Sequence, residues 1–442
     1  MTIGIIGMLA AIAVMIIGAY RGIKAIPLTL LAVIFVIVAN GMEFWHSYAV
    51  LYAGGFGNAI ARFFFIFVAS SIYAVIMDKT GCTAAIGNQM IKWFGTKYVM
   101  VVVYFFTVIL TFGGVNLFVV FFAALPIAYV MFREANLPRA LIMAPMGAGG
   151  ASITMTTLPG TPSLTNIIPS QHLGTPLTAA PVFSLILAAI IVALSLIYFR
   201  YAERIARSKN EQFTFPVGFD SSLATADKSQ LPHPLKAFLP IVLLPLFIII
   251  SSIAGAPYAQ DPIQLTTFAM VAGSVLCLLL NAKRVSAAAL KGWTGAGAEN
   301  GVVAIASLAA VLAFGAVVAG APAFQTVLQW VMGLELSVYF KALVSTAIIS
   351  AIVGSSSGGA QIALVNLAPY FLESGANIEV LHRLVAMAAG TLDTLPHVSA
   401  IFVFLAVLGC THKEAYKYLF WSTVIIPTGV TVMGAVAAAI IW

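Results

Sequence analysis

Residues 156–166 read TTLPGTPSLTN and residues 391–400 read TLDTLPHVSA, each set inside a long apolar stretch. Pro159 and Pro162, three apart with Gly160 between them, will not continue a regular helix. A polar break of this kind facing lipid would leave backbone N–H and C=O groups unsatisfied, at several kcal/mol each. Each break must therefore line an enclosed or wet space, inside a protein otherwise built for hydrocarbon. The composition agrees. Of 442 residues, 62% are hydrophobic and 8% are charged, against about 25% charged in a soluble domain. Mean hydropathy is +1.06. These values exclude a soluble enzyme, and the apolar content excludes disorder. Apolar runs of about 17–25 residues recur, the length that crosses a bilayer as a helix. The ten-residue alternation of an outer-membrane barrel is absent. The fold class is an all-α polytopic membrane protein.

Apolar length predicts spans at 3–20, 27–40, 55–77, 139–170, 178–199, 236–254, 262–281, 297–319, 379–409 and 415–441. The first segment, IGIIGMLAAIAVMIIGAY, lacks a basic start and an A-x-A-like end and reads as a retained helix. Two further stretches, 97–132 and 338–372, are each split by a polar, Gly-rich break: FGGVN (112–116) and GSSSGGAQ (354–361). Halves this short predict re-entrant hairpins. With the N-terminus outside, the inner loops then hold 18 of the 21 Lys and Arg residues; only Arg62, Lys341 and Arg383 lie elsewhere. Both termini are placed outside, and the polar stretch 200–235 is read as a cytoplasmic linker. The net charge of +7 thus sets orientation rather than pointing to nucleic acid. Cys82, Cys277 and Cys410 are far apart and predict neither a disulfide framework nor a metal site.

The segments 1–199 and 236–442 align weakly at an offset near 242. Asn58 falls opposite Asn300, KTGCTAA (79–85) opposite AGAPAFQ (319–325), and Pro126 opposite Pro369. FGGVN falls opposite GSSSGGAQ, Arg139 opposite Arg383, and TTLPGTPSLTN opposite TLDTLPHVSA. An odd number of crossings per half makes the second half inverted. Inverted repeats with interrupted helices mark secondary transporters.

Four breaks, two per half, are then expected to meet near the midplane. The first broken helix offers Thr156, Thr157, Gly160, Thr161, Ser163, Thr165 and Asn166, with a half-helix beginning near Ser163 whose free N–H groups suit a carboxylate. GSSSGGAQ offers Ser355, Ser356, Ser357, Gly358, Gly359 and Gln361, with serines as N-cap residues. FGGVN adds Gly113, Gly114 and Asn116. TLDTLPHVSA carries Thr394 and the ionisable pair Asp393 and His397, four residues apart and able to face one another if the turn is helical. Ionisable groups in such a stretch mark ion or proton pathways. The structural alternatives are a water-filled kink for the first break, exposed turns for the tips, and a capping Asp with a carbonyl-bound His for the last. Glu299 is read as an N-terminal helix charge, and Arg62 as snorkelling outward. No GxxxxGK[ST] or HExxH pattern is present.

Three helices, a hairpin, a broken helix and a final helix, repeated in inverted form, resemble the ion transporter superfamily. Within it the whole chain resembles the gluconate:proton symporter (GntP) family, and GTLDTLPHVSA (390–400) resembles the hydroxybutyrate-permease-like branch. The resemblance implies an elevator-type, dimeric symporter for a small organic acid in the bacterial inner membrane, with no cofactor. With no Arg at the breaks except Arg383 near a helix end, a monocarboxylate fits better than a di- or tricarboxylate. Protons are the expected coupling ion, carried by Asp393 with His397 as relay or hydrogen-bond donor; sodium is the alternative. Two other readings are a cation/proton antiporter of the same superfamily and, least favoured, an intramembrane enzyme using Asp393 and His397.

Overall fold

A computed structural model describes residues 2–216 and 231–442. The linker positions 217–230, Lys228 among them, fall outside the described residues. The described residues form helices and turns without a strand. The first half runs Thr2–Tyr20, Ala25–Asn40, Phe44–Lys79 and Cys82–Phe94, then a hairpin of Val99–Phe112 and Leu117–Glu134. A broken helix follows, from Arg139 to Thr154 and from Leu164–Leu173, and then Pro181–Ser208. The second half repeats that order: Pro234–Ile253, Pro262–Leu280, Ala287–Ala319 and Pro322–Met332, then a hairpin of Val338–Val353 and Ser356–Glu373. Its broken helix is Ile378–Ala389 with Ser399–Leu408, and His412–Ile441 ends it.

Among the described residues, eight helices are long and apolar enough to cross a membrane unaided, or nine if the bent pair Cys82–Phe94 and Thr96–Phe112 is one span. Seven are expected spans; the eighth is Leu117–Glu134, the return arm of the first hairpin, which at 18 residues is longer than the half-span expected of it. The other three expected spans are Ala25–Asn40, only 16 residues long, and the two broken helices, whose breaks divide them. The linker is also shorter than expected: Pro181–Ser208 runs unbroken past residue 200, because its apolar face stays buried as far as Ala202 and Ala206. Cys82–Phe94 and Pro322–Met332 were not foreseen as helices. They are short and amphipathic, and each lies along the first helix of the other half.

Loop contacts fix the two ends of the bundle. Ala84, Val130, Phe215 and Leu231 pack together at the linker end. The chain bends by 101° between Cys82–Phe94 and Thr96–Phe112. The first hairpin therefore leaves that end and returns to it. At the opposite end Tyr339 Oη accepts from the Asn377 N–H at 3.0 Å, and Lys341 Nζ lies 4.5 Å from the centre of the Tyr370 ring, so the second hairpin also begins and ends together.

Phe44–Lys79 and Ala287–Ala319 are the central pair. They approach closely because of glycine: a Cβ on Gly297 would lie 2.7 Å from Ile72 Cα, and one on Gly301 2.9 Å from the Phe67 carbonyl oxygen. Further contacts cross between halves in matched pairs. Ala25–Asn40 lies against Ala287–Ala319, as Pro262–Leu280 lies against Phe44–Lys79. Leu117–Glu134 lies against Ser399–Leu408, as Ser356–Glu373 lies against Leu164–Leu173. Phe121 and Phe404 stack at 4.0 Å across the former contact, where Tyr129 Oη also donates to the Leu408 carbonyl at 2.8 Å.

The two arginines that open the broken helices act alike. Arg139 donates to the carbonyls of Gly409 (2.9 Å) and Phe215 (2.7 Å), tying down the loop after the second broken helix. Arg383, fully buried, reaches the carbonyls of Ala179 (3.3 Å) and Leu177 (3.4 Å) in the loop after the first. Beside it His382 Nε2 donates to Asn166 Oδ1 (2.8 Å), and Nδ1 meets the Thr175 hydroxyl at 2.6 Å.

Candidate functional site

The bonding needs of helix ends explain where the polar side chains sit. The first break lies between the π-helical turn Ala148–Thr154, which leaves carbonyls unpaired at its end, and the half-helix Leu164–Leu173. Ser163 Oγ donates to the Met155 carbonyl at 2.7 Å, and the Thr165 hydroxyl bonds the same oxygen. Thr156 and Thr157 both donate to the Ser152 carbonyl, at 2.6 and 2.9 Å. In the first hairpin tip Gly114 has φ +89°, and a Cβ there would lie 2.7 Å from Ile248. Only glycine fits that turn against Pro234–Ile253. Asn116 then caps the return arm, its Oδ1 accepting from the Phe118 N–H at 3.0 Å. In the second tip Ser355 Oγ accepts from the Gly358 N–H at 3.2 Å.

The second break is held differently. The Thr394 hydroxyl accepts from Thr423 at 2.8 Å and the Thr394 carbonyl from Tyr416 at 2.9 Å. His412 Nε2 bonds the Pro396 carbonyl at 2.9 Å. Residues 390–398 are turns and bends, not helix, so the four-residue spacing of Asp393 and His397 does not set them face to face. His397 Nε2 donates instead to the Ala351 carbonyl of the second hairpin at 2.8 Å. Asp393 is buried beside Ser356. Its Oδ1, like His397 Nδ1, has no hydrogen-bond partner.

All four interruptions meet in one cavity of about 180 Å³. That is room for on the order of ten waters, or a small organic molecule. The N-cap residues of four helices line it: Asn116, Ser163, Ser355 and Val398. Neither Ser163 nor Val398 makes a side-chain cap bond, so the first N–H groups of both half-helices lack a side-chain partner. Each such end carries roughly half a positive elementary charge. Asp393 is the carboxylate on the same wall.

Of the residues expected at the site, Gly114, Asn116, Ser163, Ser355, Ser356, Ser357, Asp393 and Thr394 line this cavity. The others do not. Thr157, Thr161, Thr165 and Asn166 are buried and satisfy local backbone or His382. Gly160, with φ +79°, turns the backbone of the break. Gly358 belongs to the Ser355 cap, Gln361 meets His172 Nε2 at 3.0 Å, and His397 faces Ala351. The cavity also takes Thr111, Thr154, Ser399 and Thr266, which the sequence did not single out, and the charged residues Arg62 and Asp261. Arg62 is exposed and lines the wall formed by Phe44–Lys79. An arginine well inside an apolar run must find water or an anion, and that signal was available. A second cavity, about 450 Å³, lies between the same units toward the linker end, lined by Ser71, Asp78, Asn300, Tyr129, Pro216 and Gly409.

Broken helices and hairpin tips enclosing a polar cavity within a bundle of membrane-spanning helices are the build of a membrane transporter. The family model for the GntP family permease matches residues 3–441. A protein of Bacillus subtilis (strain 168) named "Uncharacterized transporter YxjC" is 30% identical, over 94% of this chain and 95% of its own length. The chain belongs to the GntP permease family: it is a multi-pass membrane transporter, not an enzyme by family.

Proposed function

We propose that the protein is a proton-coupled symporter of a small organic monocarboxylate, built as two inverted repeats of 1–199 and 236–442 around the linker 200–235. The observation that carries this is the convergence of four helix N-termini and one buried carboxylate on a single cavity. Helix N-termini, two of them without side-chain caps, favour an anion. Asp393 would repel that anion unless protonated, so proton and substrate bind together or not at all, and by linkage a lower pH tightens substrate binding. Sodium is the competing ion, because carbonyls and hydroxyls beside one carboxylate also suit it. The inverted-repeat reading is supported by the matched element order, the crossed packing and the twin arginine clamps.

In the same reading the hairpins and broken helices (97–170 and 338–409) slide as a unit against the remaining spans. The two cavities lie between these units toward opposite ends, as alternating access requires. A homodimer in the bacterial inner membrane, with the linker in the cytoplasm, completes it. Uptake of radiolabelled monocarboxylates into proteoliposomes tests the core claim. Accumulation driven by an imposed pH gradient without sodium is expected. Uptake that needs sodium and ignores pH would replace the coupling ion, and cation exchange for protons without anion uptake would replace symport by antiport.

A further inference from the structure

We propose that Arg62 is a one-sided receptor for the substrate carboxylate, fixed on the static wall and reading substrate only when the cavity faces its end of the protein. This rests on the carboxylate-symport reading above. The cavity has two unlike walls. Hairpin tips and breaks supply one, with neutral hydroxyls, helix N-termini and Asp393. Phe44–Lys79, Pro262–Leu280 and Ala287–Ala319 supply the other, with Phe63, Leu308 and Leu312 around Arg62, Asp261 and Thr266. Arg62 is the one cation lining the cavity among the described residues. Its guanidinium lies 5.6 Å from the centre of the Phe63 ring and makes no ion pair within the described residues. The carboxylate on the same wall has one oxygen engaged: Asp261 Oδ1 accepts from the Ile263 N–H at 2.8 Å, capping its own helix.

An exposed guanidinium in a membrane span, aimed at a cavity of anion-favouring helix ends, has its five donors free for a carboxylate. The repeat then gives the device a direction. The offset that pairs Asn58 with Asn300 pairs Arg62 with Ala304. Ala304 lines the second cavity and brings no charge; the one cation of that cavity among the described residues, Lys79, adjoins Asp78 in the chain, whereas Arg62 makes no ion pair within the described residues. The anion is thus met by an unpaired guanidinium on one side of the membrane and leaves it behind when the polar wall moves.

The test is transport of 3-hydroxybutyrate, D-gluconate and a panel of short monocarboxylates by oriented vesicles, right-side-out and inside-out. Arg62→Gln is expected to raise KM about tenfold from the Arg62 side, the size of one charge-assisted hydrogen-bonded contact, and to leave KM from the other side within about twofold. Arg62→Lys, which keeps the charge but loses the fork, should fall between. Wild-type KM from the Arg62 side should rise with salt and that of Arg62→Gln should not. A shift of equal size from both sides, or none in a wild type that transports normally, overturns the proposal alone. A wild type that moves none of the carboxylates, while folded by its melting profile, overturns the symport reading and this proposal with it.

Discussion

In the first break Ser163 and Thr165 both bond the Met155 carbonyl, while Thr156 and Thr157 both bond that of Ser152. In the second, at the same place in the other half, Asp393 Oδ1 and His397 Nδ1 are buried with no partner among the described residues. Both breaks solve the same backbone problem, and the first does it with its own hydroxyls. The second is pinned from outside, by Tyr416, Thr423 and His412 of the last helix. That support leaves one oxygen of the Asp393 carboxylate, beside Ser356, without a partner among the described residues. Buried polar atoms left unsatisfied are costly and occur where a ligand or ion completes them. In the proposed symporter the difference separates a joint from a working site.

The largest expected effect is at Asp393. Asp393→Asn mimics the protonated form, so it should bind and exchange substrate but lose accumulation against a gradient; counterflow beside pH-driven uptake measures both. A variant that still accumulates substrate on a pH gradient would break the contrast. Next come the two clamps. Arg383→Ala removes three hydrogen bonds, to the carbonyls of Thr156, Leu177 and Ala179, in a dry site and should cost about 3 kcal/mol or more. Arg139→Ala, whose partners are half exposed, should cost about 1 kcal/mol. Melting of the purified protein in detergent ranks them, and equal losses would mean the two clamps do the same job.

Smaller still is the effect within the first break. Ser163→Ala should raise KM about three- to tenfold, because Ser163 lines the cavity. Thr161→Val should leave KM within about twofold, since its hydroxyl turns to the Leu158 carbonyl and to Ser163. A Thr161 effect as large as that of Ser163 would show that the break binds substrate as a whole. Smallest is Gln361→Leu, which removes the contact with His172 outside the cavity and should leave KM within about twofold in the same uptake assay.

Much of the site was legible before any coordinates. The prolines at 159 and 162, the glycines at 113 and 114 and the serines at 355–357 stand out because hydrocarbon tolerates them only where the chain breaks. Asp393 stands out because a carboxylate there needs a reason. What stayed hidden was which hydroxyl faces the cavity and which faces a carbonyl. Thr157, Thr161, Thr165 and Asn166 look like ligands in a list of polar residues, yet each is spent on the protein's own backbone or on His382. The place of Arg62 on the cavity wall stayed hidden for a related reason. Its helix is apolar around most of its circumference, so periodicity does not say which face meets water.

The sequence by itself determined the solvent and the architecture. Apolar runs, polar breaks and the positions of the basic residues follow from the cost of placing charge and unpaired backbone in lipid, and that cost acts on each segment separately. The tertiary structure alone decided which ends come together. Four helix N-termini meet in one cavity, Arg62 stands opposite them and His397 turns away to Ala351. Those relations are between segments hundreds of residues apart, and they are set by close packing of side chains and glycine faces, which no single segment specifies.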